Sequence, residues 1–427
     1  MIVRSSIMRF SIMRFSIMRV SHVPFRRILW CSNLAVFVLS IVACAATPPD
    51  PGRAGGIAVA EALGGGGIAV AEAMGGGGTD GFARATDVRE IVFPDDHGPH
   101  EEYRTEWWYF TGNLDSATGN ELGFQLTIFR HALAPATAAR TSRWASRDVW
   151  FAHLAVGDGA SGRFEATERF ERGALGLAGA RAQPFAVWIG DWRVESVNNS
   201  DMFPLHLVAD TDEVGIDLVL DLAKPIVLQG DRGLSQKGAE PGNASFYYSA
   251  TRLSARGTVV LGGDPVSVTG SAWLDREWST SALSEGQTGW DWFAIQLEDG
   301  RELMLYRLRR TDGTTDPHNS GLLVESDGTT RRLGPTDIRY EPGRRWHSPR
   351  SEAFYPVEWR LWIEPLDLEL EVVPMIDASE LELAVRYWEG AIRVNGREGA
   401  RSVGGRGFLE MTGYAAPRDL GESRGGR

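Results

Sequence analysis

Only two cysteines, Cys31 and Cys44, occur in 427 residues, so no disulfide framework can hold the fold. The folded part must rest on its own core, and the chain has room for two or three domains. Basic residues are also in deficit, 44 against 56 acidic, and six of the 44 are arginines within the first 43 residues, a stretch without acids. Beyond that stretch the balance is 38 basic to 56 acidic, a net −18. Such a chain lacks the basic surface that a phosphate backbone requires, which excludes nucleic acid as a partner.

No segment of helical period reaches a convincing length. No Gly-x-Ser-x-Gly elbow, His-Glu-x-x-His pair or phosphate loop opening a helix occurs. Nucleotide chemistry and the linear signatures of serine and zinc hydrolases are therefore unsupported, although a triad assembled in space needs no linear motif. The nearest serines are Ser161, which reads as a turn residue, and Ser279 beside Trp278.

The N-terminus repeats Ser6-Ile-Met-Arg-Phe10, Ser11-Ile-Met-Arg-Phe15 and Ser16-Ile-Met-Arg-Val20, and a start at Met18 would leave an ordinary basic n-region. The apolar run Ile28–Ala43 is short for a membrane span and fits a signal h-region. It ends Ile41-Val42-Ala43-Cys44, which resembles a lipobox; an ordinary signal peptide cleaved nearby is the other reading. Residues 1–43 are thus expected to be a signal peptide and Cys44 the lipidated residue. Ala45 after it implies, by resemblance to other lipoproteins, the outer membrane facing the periplasm. Residues 44–87 form a Gly-rich tether, with Gly55 to Gly65 repeated as Gly66 to Gly76, and 417–427 a disordered tail.

What is abundant is aromatic: 15 tryptophans, and 50 glycines to turn the chain between short strands. The densest run is Thr105-Glu106-Trp107-Trp108-Tyr109-Phe110-Thr111-Gly112. Strand alternation puts Glu106, Trp108 and Phe110 on one face and Trp107 and Tyr109 on the other. Two readings follow. The strand is buried between a barrel interior and a covering layer, or Glu106 faces an apolar cavity that raises its pKa and makes it an acid.

Strand and turn alternate from Val88 onward. Trp107 to Leu114 and Leu122 to His131 read as a hairpin about Asp115–Asn120, as do Asp148 to Val156 with Arg163 to Phe170 and Trp290 to Leu297 with Glu302 to Arg309. Phe203 to Ala209 pairs with Val214 to Leu222, and Phe246 to Leu253 opens a meander through Thr258 to Leu261. A second series ends with Val357 to Pro365, Leu366 to Val373, Arg386 to Val394 and Gly407 to Tyr414. Two series of strands predict an all-β chain of two barrels or sandwiches.

Several blocks together carry a resemblance: Phe93-Pro-Asp-Asp-His97-Gly-Pro-His100 with Glu106-Trp107-Trp108-Tyr109, Trp273-Leu-Asp275-Arg-Glu277-Trp278, Gly289-Trp-Asp-Trp292-Phe293, Tyr387-Trp-Glu-Gly390 and Gly407-Phe-Leu-Glu-Met-Thr-Gly-Tyr414. From about Arg89 to Ala416 the chain resembles the family of carotenoid 1,2-hydratase (hydroxyneurosporene synthase) and the AttH-like "predicted secreted hydrolases". That resemblance implies two tandem lipocalin-like antiparallel β-barrels, here 88–280 and 281–416. Carotenoid hydratases carry a His-Asp-His-Asn-Trp block where this chain has Leu274-Asp275-Arg276-Glu277-Trp278, and loss of both histidines favours the secreted branch.

Hydrating an isolated alkene requires a carboxylic acid kept neutral by apolar surroundings, aromatic faces for the cation and a base for water. Asp275 and Glu277, on one strand face with Trp273, and Glu106 beside Trp108 are the candidate acids, with Asp291 between Trp290 and Trp292 a further one. Arg276 points away from Asp275. The structural alternative is a salt-bridged strand end closing a barrel over core tryptophans. Trp108, Tyr109, Trp278 and Trp292 would line the substrate pocket, with His97 and His100 beside it. Gly98-Pro99 between these histidines forbids the helix that usually presents a His-x-x-His metal pair, so capping the barrel or bonding Glu106 is expected of them, and no metal or other cofactor. His153 alternates with apolar neighbours and reads as a satisfied core histidine. The expected partners are an apolar small molecule, a membrane through the lipid anchor, and an envelope transporter. The function is hydration or hydrolysis of a long isoprenoid or lipid substrate, or non-catalytic lipid binding and transfer in the cell envelope.

Overall fold

In the computed structural model the described residues are 79–135, 142, 145–197, 202–280 and 283–416. The stretches expected to be a signal peptide, a lipidated Cys44, the tether up to residue 78 and the tail 417–427 lie outside them.

The first sheet is built from β1 (Thr105–Ser116), β2 (Glu121–Ala132), β3 (Asp148–Asp158), β4 (Arg163–Arg172), β5 (Ala178–Arg181), β6 (Ala186–Ile189) and β7 (Trp192–Ser196). It continues with β8 (Leu205–Asp210), β9 (Val214–Leu222), β10 (Val227–Leu228), β11 (Leu234–Gln236), β12 (Ala244–Leu261) and β13 (Val266–Ser279). The second begins with β14 (Gln287–Leu297), β15 (Glu302–Arg310), β16 (Ser320–Val324), β17 (Thr330–Leu333) and β18 (Ile338–Pro342). The hairpin β19 (Arg345–His347) and β20 (Phe354–Pro356) stands apart before β21 (Trp359–Ile363), β22 (Leu368–Pro374), β23 (Glu380–Glu382), β24 (Arg386–Glu398) and β25 (Arg401–Met411).

Every named pairing is antiparallel, and in each sheet the first strand pairs with the last, β1 with β13 and β14 with β25. The tight turns lie at the glycines the hairpins called for: Gly119 (φ +83°) and Gly300 (φ +88°) occupy the left-handed region. Where a meander was expected after Phe246, one long strand, β12, runs with a bulge between Ala250 and Leu253. β13 pairs with it on both sides of that bulge, while along its other edge β11 and β10 give way to β9 from Leu253 onward.

β3 and β4 pack across onto β6 and β9, so the first sheet curls into a nearly closed barrel. Even-numbered positions of β1, β2, β3 and β13 face inward, and Trp108, Phe110, Leu126, Leu154, Trp192 and Leu274 help fill the interior. Phe293, Leu305, Trp359, Leu370, Trp388 and Leu409 do the same in the second barrel. Each such side chain contributes about 1.5–3 kcal/mol by leaving water. Among the described residues, both barrel interiors are filled by apolar side chains.

A further set of aromatics, among them Trp107, Tyr109, Phe129, Trp292 and Tyr387, lies outside the barrels, where the two press together. β1 meets β25, β2 meets β24 and β12 meets β14. Gly123 permits this approach, since a Cβ there would stand 2.7 Å from that of Ala391. The Asn113 amide donates to the Gly407 carbonyl at 3.0 Å, and Arg406 forks onto Asp115 at 2.7 and 2.8 Å.

Candidate active site

Register sets the composition of this seam. On the outer face of the first barrel, Tyr109 lies opposite Asp275, and Trp107 opposite Glu277. On the facing surface of the second, Trp292 lies opposite Glu410, and Glu410 opposite Glu389. The first and last strands of each barrel thus present an aromatic–acid pair to one gap. Trp107, Tyr109, Phe129, Tyr247, Trp290, Trp292, Tyr306 and Tyr387 wall it, with Lys237, Asp275, Glu277, Ser279, Leu283, Leu308 and Glu410. The cavity measures about 80 Å³, room for several waters at one probe sphere of roughly 10–15 Å³ each.

Asp275 is buried and accepts three hydrogen bonds, from the Tyr247 hydroxyl and the Ser249 hydroxyl at 2.5 Å each and from the Trp273 indole N–H at 2.7 Å. Burial pushes its pKa up to about 7 against the pull of those donors. The Trp292 indole N–H in turn donates to the Tyr247 oxygen at 3.3 Å, fixing that hydroxyl. Glu410 accepts the Trp290 indole N–H at 3.0 Å on Oε1, and burial pushes its pKa up to about 8, with the charges of Asp275 and Glu277 adding to the shift. Glu389, behind it, accepts the Tyr109 hydroxyl, and burial first and the Glu410 charge second raise its pKa well above 4.5. Glu277 instead pairs with Lys237 at 3.2 Å, whose ammonium sits 4.5 Å from the centre of the Tyr306 ring.

Of the residues the sequence singled out, Asp275, Glu277, Tyr109 and Trp292 come together at the cavity. Glu106, Trp108, Trp278, His97 and His100 do not. Glu106 points into the first barrel, opposite Arg130 on β2, and is held by Arg130, Arg276 and the His100 backbone N–H. Burial alone would raise its pKa, but the two guanidiniums overcome that and hold the carboxyl well below 4.5, so the expectation of a neutral acid is overturned. Arg276 lies over Trp108, 3.9 Å from the ring centre, and His100 stacks on Trp278 at 3.9 Å. Since Arg276 can only donate to His100 Nδ1, the ring hydrogen sits on Nε2 and bonds Asp96 at 2.8 Å. His97 bonds the Tyr248 hydroxyl at 2.7 Å and borders a separate open cleft with Phe93, Met202 and Leu222. The second barrel repeats the device: Asp291 faces inward to Arg307 and Arg309, away from the cavity. His153 is also corrected. It faces the seam, and its Nε2 has no hydrogen-bond partner.

Sequence reasoning missed Glu410, Glu389, Lys237, Tyr247 and Tyr387. Glu389 and Glu410 stand in two of the aromatic–acid blocks quoted above, and the strand face each shares with an aromatic, Tyr387 for Glu389 and Phe408 for Glu410, was the available signal.

The AttH-like family profile matches residues 84–414, and with them most of the fold just described. The chain belongs to the AttH-like family. The crystal structure of an AttH protein from Nitrosomonas europaea superposes on it with a TM-score of 0.70 at 32% identity, covering 78% of this chain and 100% of that one. Kievitone hydratase of Fusarium solani subsp. phaseoli is 21% identical over 245 residues, 56% of this AttH-like chain and 68% of that protein. The crystal structure of kievitone hydratase from Nectria haematococca matches with a TM-score of 0.61 at 14% identity, covering 78% and 98% of the two chains. At that identity the likeness is one of fold.

Proposed function

We propose that this AttH-like protein is a hydratase that adds water across a carbon–carbon double bond of an apolar substrate held in the seam. The observation that carries the reading is the pair Asp275 and Glu410, two buried carboxyls from different barrels, poised near 7 and 8 and facing one aromatic cavity. Glu410 has one oxygen on the Trp290 indole and no protein partner for the other among the described residues, which suits it to carry a proton. Asp275 has donors converging on both oxygens, which suits it to the ionised form.

In the forward direction the Glu410 O–H breaks and its proton forms the new C–H bond. The adjacent carbon becomes a cation against the faces of Trp107, Trp290 and Trp292. A water beside Asp275 forms the C–O bond and passes one proton to that carboxylate. One proton leaves Glu410 and one arrives at Asp275, so water is added and charge is conserved. Ser279 lines the same cavity, but no histidine does among the described residues, which leaves serine hydrolysis without its usual base. Kievitone hydratase, as a relative named for water addition, supports the reading.

The test is incubation of the purified protein with lipid extract of its own host in oxygen-labelled water, followed by extraction and mass spectrometry. A labelled hydroxylated product, lost in Asp275→Asn and Glu410→Gln, is expected. The same unaltered lipid on wild type and both variants would replace this reading with that of a carrier. The rate should follow a bell-shaped pH profile with its maximum between about 7 and 8, because Asp275 must be ionised and Glu410 protonated. Asp275→Asn should abolish the acidic limb of any residual activity. We also propose export and lipid anchoring at Cys44; Cys44→Ser should then release the protein from the membrane fraction.

A further inference from the structure

Lys237 is the only cationic side chain that lines the cavity among the described residues, against the carboxyls of Asp275, Glu277 and Glu410. It enters from the turn after β11, and that turn is pinned at several points. The Lys237 backbone N–H donates to the Asn243 carbonyl at 2.9 Å, the Gln287 side-chain amide to the Lys237 carbonyl at 2.9 Å, and the Tyr306 hydroxyl to the Gln236 carbonyl at 3.2 Å. The root of the side chain is thus fixed before any ligand arrives, which lowers the cost of binding one.

An ammonium carries three N–H donors. Among the described residues that of Lys237 has one oxygen partner, Glu277 at 3.2 Å. Its other neighbours are the faces of Tyr306 and Tyr247, with ring centres 4.5 and 5.4 Å from the nitrogen. Those faces answer part of the charge but offer no oxygen lone pair. The hydroxyls of the same two rings are committed to the Gln236 carbonyl and to Asp275. Donors left unused on an ammonium inside the seam are costly, and an acceptor in the cavity would satisfy them.

We propose that Lys237 sets the substrate class: the apolar alkene carries an uncharged oxygen acceptor, a carbonyl, ether or hydroxyl oxygen, which docks on the ammonium and decides which carbons lie between Glu410 and Asp275. The proposal rests on the hydratase reading of the seam. The acceptor is uncharged because Glu277 already answers the ammonium, so an anionic group would enter beside Asp275 and Glu410 with no cation of its own. A pure hydrocarbon would expel water from the N–H groups and leave them bare.

The test uses two rings of one shape, tetrahydrofuran with an ether oxygen and cyclopentane with none. Binding is followed near neutral pH by the NMR resonance of the Trp290 indole N–H, which lies in the cavity wall and is assigned by its loss in Trp290→Phe. Without ligand that resonance follows Glu410, to which the indole donates, and should titrate near pH 8. The readout is the tetrahydrofuran-to-cyclopentane affinity ratio in wild type divided by the same ratio in Lys237→Met, a quotient that cancels the different hydration of the probes. One hydrogen bond to a charged donor predicts a quotient of about ten or more. Lys237→Met/Glu277→Gln removes the ion pair as a unit, leaves no bare charge, and should give the same quotient. A quotient near one in both would overturn the proposal and leave Lys237 a structural partner of Glu277. Isobutyramide should bind better than isobutyrate, its anionic counterpart, and the reverse order would overturn the uncharged class. No shift with any probe would overturn the recognition together with the seam as substrate site. A large quotient without labelled product from the host extract would keep Lys237 as the anchor of the ligand and remove only the hydration step.

Discussion

Glu410→Gln is expected to lower turnover by about 10²–10⁴-fold while leaving ligand binding nearly intact, because it removes the proton delivered to carbon and keeps the shape of the wall. The same substitution should stabilise the fold. The carboxyl has an ordinary pKa of 4.5 and one of about 8 when folded, so between these values the folded state binds the proton that the unfolded chain has released. Stability therefore falls as pH rises from about 4.5 to 8, and a neutral amide escapes that loss. A gain on the order of one to a few kcal/mol at pH 8, with little change at pH 4, should appear in denaturant unfolding. A purely structural carboxyl would show the opposite, an unaltered rate and a less stable variant.

Glu106→Gln should do the reverse. It leaves Arg130 and Arg276 buried without their counter-charge and should cost about 3–5 kcal/mol in unfolding free energy. The Trp290 indole should still titrate near pH 8, since Glu106 lies inside the first barrel and not on the seam. The sign with pH is also opposite. Because the folded Glu106 is held well below 4.5, its contribution is present above that value and is lost as pH falls below it. Wild type should therefore lose stability in acid, and Glu106→Gln should lose less. A variant as stable as wild type at pH 7 would rule out the ion-pair account of this cluster.

Glu106 and Asp275 look alike in sequence, each an acid within two residues of a tryptophan on its own strand face, yet one is a structural anion and the other faces the cavity. Parity decides it. Glu106 shares the inward face of β1 with Trp108 and meets Arg130 across the ladder, while Asp275 shares the outward face of β13 with Trp273 and meets Tyr109. Strand alternation told which side chains travel together, but not which face is the core, because both faces of β1 are aromatic. The same ambiguity hid His153, whose apolar neighbours in sequence point into the barrel while it points to the seam.

By itself the sequence determined the all-β class, the hairpins bounded by turn glycines, the aromatic–acid blocks and their family resemblance, and the shared face of Asp275, Glu277 and Trp273. These are local properties, set by the two-residue period of a strand and by residues that accept a left-handed turn. Only the tertiary structure decided that the barrels are filled, that the cavity lies between them, and that Glu410 and Asp275 face the same space. Each of these depends on how two finished barrels dock and on which ladder register places an acid opposite an aromatic. No periodicity within a single strand encodes a partner contributed by the other barrel.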